Sequence, residues 1–218
     1  MTPRQRPIIF SGPMVRAILD GRKSQTRRIL KPQPTEPESI DYAAVVVDHN
    51  DVVQRALYCC MRQINVRDWP EKKPAYWKEY AELPYRPGDL LWVRETWSAP
   101  YRYCDLRPRD RGGPFWYWAD GNPGFGDWCR PTPSIHMPFF AARIWLRVTN
   151  VRVQRVQEIS EDDARAEGCR GNATTEWGCE GLIEDFADLW NVLNAKRGFG
   201  WDENPWVAAY TFERVEKP

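Results

Sequence analysis

The sequence is poor in the residues that build metal sites. It has two histidines, and none of its six cysteines (Cys59, Cys60, Cys104, Cys129, Cys169 and Cys179) forms a C-x-x-C pair. The common zinc-site classes lose their ligand spacing, and no metal is expected. An excess of one charge is missing too: 31 Lys and Arg stand against 30 Asp and Glu, a formal net charge of +1. A broad electrostatic grip on a nucleic-acid duplex normally shows as a basic excess, so that class loses support. No apolar run approaches membrane-spanning length, so no membrane partner is expected. The opening Met1 to Pro7 is basic and polar, without the apolar core of a secretory signal. Repeats and low-complexity tracts are absent as well. On these grounds the chain reads as cytoplasmic, with reduced and mainly structural cysteines.

What is abundant is tryptophan and proline, 12 and 19 of 218 residues. Large amphipathic rings fill a core, and any left outside it can stack on nucleobases. Frequent prolines favour long ordered connections over long helices. The length suits a single domain, 1–218, carrying insertions at about 40–84 and 97–133. The basic residues gather early, at Arg16, Arg22, Lys23, Arg27, Arg28 and Lys31. The acidic ones gather late, at Glu158 to Asp163 and Glu180 to Asp188, which permits one local positive face.

Periodicity gives the elements. Pro7 to Phe10 reads as a short buried strand, and Ser11-Gly12-Pro13 opens a helix whose apolar face is Met14, Ala17 and Ile18. Gly21 suits its left-handed stop, and Ser24 to Lys31 alternates as a strand. Val45 to Val47 and Val52-Val53 flank an Asp-His-Asn-Asp turn, a hairpin pattern. The run through Cys59 to Ile64 fits helix or strand equally. Leu90 to Val93, Phe115 to Trp118, Ile144 to Val156 and Trp206 to Val215 read as strands. In the third of these, Ile144, Leu146 and Val148 face the core, while Trp145, Arg147 and Thr149 face water. Helices are expected after Ser160, with Asp163 in a capping-box position and Gly168 as the stop, and from about Glu180 to Ala195. The sum is an α+β protein: a small mixed β-barrel with flanking helices and long ordered insertions.

One segment stands out, Gly21-Arg22-Lys23-Ser24-Gln25-Thr26-Arg27-Arg28. Its order of helix, glycine stop, basic loop and strand gathers donors where an anion or polar base edge could sit. A solvated basic turn accounts for the same letters. Gly21-x-Lys23-x-x-Thr26-x-Arg28 resembles the signature of the ASCH family, a relative of the PUA nucleic-acid-binding fold, in which most members carry Glu where Thr26 stands. The Thr version is similar to bacterial N4-acetylcytidine amidohydrolases, small ASCH enzymes. The wider chain resembles a group of phage and prophage proteins, over Pro7 to Pro34, Pro87 to Trp97, Ser134 to Arg143 and Gly198 to Val207. The hydrolases are much shorter, so the two insertions have no counterpart in them.

The resemblance implies three catalytic residues, Lys23, Thr26 and Glu95, and no cofactor. Amide hydrolysis needs a nucleophile, a base to activate it and an acid for the leaving amine. Thr26 fits the first role, Lys23 the second and Glu95 the third. An ordinary lysine amine is only ~0.04% neutral at pH 7, so such a base must be taken out of water. Gly21, Arg22 and Arg28 are candidate substrate contacts from the motif. Trp92, Trp97, Tyr117 and His136 are candidates for stacking or lining the pocket. Each has a structural alternative: Glu95 could pair with Arg28 or Arg94, Thr26 could be an ordinary strand threonine, and the tryptophans could be core. The expected ligand is a modified pyrimidine nucleoside or single-stranded nucleic acid, hydrolysed, or held without turnover as a binding module.

Overall fold

The computed structural model describes residues 3–31, 33, 42–47, 53–59, 78–171 and 181–218. The run from Cys60 to Ile64 lies outside them, as does most of the 40–84 insertion. Ten strands are described: β1 Gln5–Ile9, β2 Gln25–Ile29, β3 Tyr42–Val47, β4 Val53–Cys59, β5 Lys78–Glu82, β6 Leu90–Arg94, β7 Trp97–Ser98, β8 Trp116–Tyr117, β9 Trp145–Arg155 and β10 Trp206–Val215. Three α-helices accompany them: α1 Gly12–Leu19, α2 Glu161–Ala166 and α3 Leu182–Asn194.

The α+β class holds. The main sheet has five strands in the order β1-β6-β9-β10-β2, with β1 and β6 parallel and β6 and β9 antiparallel. Among the described residues no pairing closes it into the expected barrel. β3, β4 and β5 form an antiparallel sheet, whose first pair contains the expected hairpin. Phe115 to Trp118 yields only the two-residue β8, paired with β7, because Trp118 turns at once into a 3-10 helix.

The chain folds as two compact units, one comprising Met1–Ser24, Gly88–Arg147 and Phe212–Pro218, the other Gln25–Pro87 and Val148–Thr211. In the first, β6 is buried along most of its length, with Leu91 and Val93 at 0% exposure. Helix α1 buries Val15, Ala17 and Ile18. Its Ser11 makes no side-chain cap, and Pro13 in the first turn sets the entry instead. Gly21 takes φ +73°, and the next two amides, of Arg22 and Lys23, both donate to the Ala17 carbonyl. That left-handed turn is open to glycine at no steric cost, and it delivers Lys23 from the helix end.

The strand alternation expected in β9 fails at Trp145. It is buried with Leu90, Trp92 and Ala142, with its ring edge-on to Phe139 at 5.1 Å. The 3-10 turn Phe139–Ala141 brings the Phe139 ring over a face that a bare strand would expose. The cysteines depart from the expectation too, since Cys104 and Cys129 form a disulfide. No short spacing announced it. Antiparallel contacts between Ala99 and Cys129 and between Tyr101 and Asp127 align the two segments, leaving the Cα atoms 5.3 Å apart.

In the second unit, β10 is antiparallel to β2, with Tyr210 opposite Thr26 and Ala208 opposite Arg28. Val207, Ala208, Ala209 and Tyr210 are wholly buried. The apolar stripe of α3 packs Leu182, Phe186 and Trp190 with Val156, Ile159 and Ala164. Helix α2 starts as expected: the Ser160 hydroxyl accepts from the Asp163 amide at 3.1 Å. The Asp163 carboxylate is employed elsewhere, on Gln25, Arg27 and Arg152.

Candidate functional site

Glu95 follows β6 and is 1% exposed. Its partner is neither Arg28 nor Arg94. Arg143 holds it with two hydrogen bonds, Nε to Oε1 at 2.9 Å and Nη2 to Oε2 at 3.0 Å. The same guanidinium donates to both carboxylate oxygens of Asp120, at 2.6 and 2.8 Å. One flat cation thus bridges two carboxylates in fork geometry, the arrangement for which arginine is suited and lysine is not. Exposure rises along the chain of groups: the Arg143 side chain is 24% exposed and Asp120 38%. The relay therefore runs from the interior to the surface of this unit.

Strand register explains why Arg143 reaches Glu95. Leu90 lies opposite Arg147 and Trp92 opposite Trp145, and the Val93 amide donates to the Ile144 carbonyl at 3.0 Å. Continuing that antiparallel pairing sets position 143 opposite Arg94, one residue from Glu95. The Glu95 amide donates to Met137 Sδ at 3.3 Å, which fixes the backbone that carries the carboxylate.

Burial pushes the Glu95 carboxyl up from the ordinary range, and the charge of Asp120 adds to that. The hydrogen bonds and charge of Arg143 pull it down by less. Burial also opposes the Arg143 charge, but its hydrogen bonds to Asp120 and Glu95 win and hold the guanidinium firmly protonated. The Tyr117 ring lies under this guanidinium, 4.0 Å from the ring centroid, and its hydroxyl donates to the Ala141 carbonyl at 2.8 Å. Burial first, with Glu95 and Asp120 assisting against Arg143, pushes the Tyr117 phenol up to about 12. It remains a donor. The group thus holds a carboxyl raised by burial at its inner end and a fixed cation at its centre.

Lys23 is 3% exposed, in the same unit as Glu95, with its amine 5.8 Å from the Phe10 ring centroid. The Phe10 amide donates to the carbonyl of Arg94, the residue before Glu95. A buried lysine is rare unless partnered or functional. Thr26 belongs to the second unit, on β2, and is 4% exposed. Gly21 is exposed, and Arg22 is half-buried with an ion pair to Asp20 at 2.8 Å. Arg28 is half-buried; burial lowers the affinity of its guanidinium for the proton, while Tyr85, Glu167 and Tyr210 raise it. Arg27, read from sequence as part of a positive loop, is fully buried against Asp163 at 2.7 Å and Glu167 at 3.1 Å. Its charge is spent inside the second unit.

The aromatic candidates fall into different settings. Trp97 is 0% exposed and edge-on to Phe115 at 5.2 Å, a core position. Trp92 is nearly buried, with the Arg94 guanidinium 4.5 Å from its ring centroid. His136 is exposed at the end of the 3-10 helix Ser134–His136. Of the candidates, the structure draws Glu95 and Tyr117 together, both through Arg143. Sequence reading did not single out Arg143 or Asp120. Arg143 precedes β9 and Asp120 closes the 3-10 helix Trp118–Asp120, and neither position carries a periodic pattern that would point to Glu95.

No protein-family model matches the chain, and no curated protein matches it. Among solved structures, one similar to it is a protein of family DUF984 from Enterococcus faecalis, at 12% identity and TM-score 0.40, covering 99% of this chain and 82% of that one. Another is an ASCH domain from Lactobacillus crispatus, at 12% identity and TM-score 0.42, covering 98% of this chain and 81% of that one.

Proposed function

We propose that the protein is an amidohydrolase acting on an N4-acylated cytosine nucleoside or base, through Lys23, Thr26 and Glu95. The observation that carries this reading is Glu95: a carboxyl at 1% exposure, pushed up by burial, the direction that suits a proton donor. The burial of Lys23 and the resemblance of Gly21-x-Lys23-x-x-Thr26-x-Arg28 to the amidohydrolase motif support it. The ASCH-type barrel and the phage-type origin implied by the wider resemblance belong to the same proposal.

In this mechanism Lys23 takes the hydroxyl proton as Thr26 Oγ attacks the acyl carbonyl carbon. The protonated Glu95 gives its proton to N4 as the C–N bond breaks, releasing cytidine and leaving an ester on Thr26. Water then attacks the ester carbonyl and gives its proton to the Glu95 carboxylate. The ester C–O bond breaks, the carboxylic acid leaves, and Lys23 returns its proton to Thr26. The net change is one water consumed. Arg143 keeps the carboxyl of Glu95 oriented throughout.

Liquid chromatography of a panel of N4-acylated cytosines tests the reading. Release of cytidine and the acid is expected from at least the acetyl compound, abolished by Lys23→Ala and by Thr26→Ala. No turnover of the panel, together with salt-dependent binding of single-stranded nucleic acid weakened by Arg22→Ala or Arg28→Ala, would replace it with the non-catalytic binding module.

A further inference from the structure

The first unit carries a concavity remote in sequence from the motif. A cavity of ≈ 470 Å³ is lined by Tyr101, Arg111, Trp128, Arg130 and Thr132, with the Cys104–Cys129 disulfide in its wall. That volume falls within the roughly 300–1,000 Å³ of small-ligand sites. Three observations define what it suits.

First, among the described residues the lining has cations and no carboxylate. Arg111 donates to the carbonyls of Leu106 and Cys104, both at 3.0 Å, and to Thr132 Oγ1 at 2.8 Å. All three acceptors are neutral, so the guanidinium is fixed in place without its charge being cancelled. Arg130 is exposed and makes no described ion pair. Second, aromatic surface is available. Tyr101 is 68% exposed, and Trp128 is half-buried, its indole N–H turned to the Phe125 carbonyl at 3.1 Å. Third, the walls are braced. The Tyr101 amide donates to the Asp127 carbonyl at 2.8 Å, the Cys129 amide to Ala99 at 2.9 Å, and the disulfide closes the same pair of segments.

A tethered cation, a free cation, the exposed Tyr101 ring and a Trp128 ring that also meets Trp116 at 5.9 Å, in one braced hollow, match a ligand that is flat and aromatic at one end and anionic at the other. We propose that this cavity binds a nucleotide unit, its base stacked on Tyr101 or Trp128 and its phosphate drawn to Arg111 and Arg130. It is independent of the hydrolase reading, because it uses none of Lys23, Thr26 or Glu95. The unit could come from a free nucleotide or from a single-stranded polymer, and the test separates these sources.

The full-length protein is titrated with cytidine monophosphate by calorimetry, and with a fluorescein-labelled six-nucleotide single strand by anisotropy, at several salt concentrations. Tyr101→Ala is expected to weaken binding about 5- to 150-fold, the loss of one base stack, while Tyr101→Phe keeps it. Arg130→Ala is expected to lower the salt slope by about 0.7, one phosphate contact on a single strand. Tight oligonucleotide binding with weak mononucleotide binding assigns a polymer; equal affinities assign the free nucleotide. Both residues are exposed, so the variants should fold, and unchanged melting temperature checks this. Absence of binding to either probe, affinity untouched by both alanine variants, or equal competition by an acidic peptide lacking aromatic rings overturns the proposal.

Discussion

Replacing Arg143 with methionine removes the cation that bridges Glu95 and Asp120 while keeping most of its apolar stem. Glu95 is left at 1% exposure with both of its guanidinium hydrogen bonds gone. Breaking a buried pair from one side costs about 3–5 kcal/mol. Because the Arg143 side chain is itself 24% exposed, water can enter part of the site, and the lower end, about 3 kcal/mol, is expected. The loss should depend on pH. Glu95 sits above its ordinary value when folded, so its contribution is full below the unfolded carboxyl range and is lost as pH rises through the folded value. Without Arg143 nothing pulls the carboxyl down, and the folded value rises further. Between those two values the native state holds one extra proton, so stability falls by up to about 1.4 kcal/mol per pH unit. Urea titrations at pH 5 and pH 8 should therefore show a larger deficit for Arg143→Met at pH 8. Adding Glu95→Gln should recover much of it by leaving no charge to bury. A deficit below about 1 kcal/mol at both pH values, or no recovery in the double variant, would refute the description of Glu95 as a desolvated carboxyl held by Arg143.

Other outcomes follow from the same physics. Asp163 is held below the usual carboxylate range: burial raises it, but hydrogen bonds from Arg152 and Gln25 and the charge of Arg27 outweigh that. Its contribution is present above the unfolded value and lost as pH falls through the folded one, so Asp163→Asn should flatten the acid side of the stability profile. Cys104→Ser opens a loop with a sequence separation of 25, which chain entropy rates at about 3.5 kcal/mol; denaturant midpoints with and without reductant should coincide for the variant and differ for the parent. Ser160→Ala removes the accepted Asp163 amide bond and should cost about 1 kcal/mol in thermal unfolding, with Ser160→Asp close to neutral.

The legible parts of the fold were those fixed by local periodicity. The helices α1 and α3, the Ser160 cap, the left-handed Gly21 and the run Trp206–Val215 all follow from neighbours a few residues apart, although α1 buries Val15 where Met14 was expected. What sequence left open depends on partners far along the chain. Whether β6 and its neighbours close or stay open is decided by edges, not by any strand's own pattern. The Cys104–Cys129 bond depends on two irregular segments lying antiparallel. Trp145 looks wet by alternation and is covered by Phe139 from a 3-10 turn. At the candidate site, Glu95 was reached through its motif, whereas the two charged groups that act on it lie 25 and 48 residues away. Arg27 shows the converse: it read as part of a cationic loop, and tertiary structure supplies it with two carboxylates.

The most direct measurement is mass spectrometry of the protein quenched during incubation with N4-acetylcytidine. An acetyl group on the peptide that contains Thr26, absent in Lys23→Ala and cleared as cytidine and acetate accumulate, is the expected result. Acetate release with Thr26 never modified, or a protein that leaves the compound intact, would contradict it.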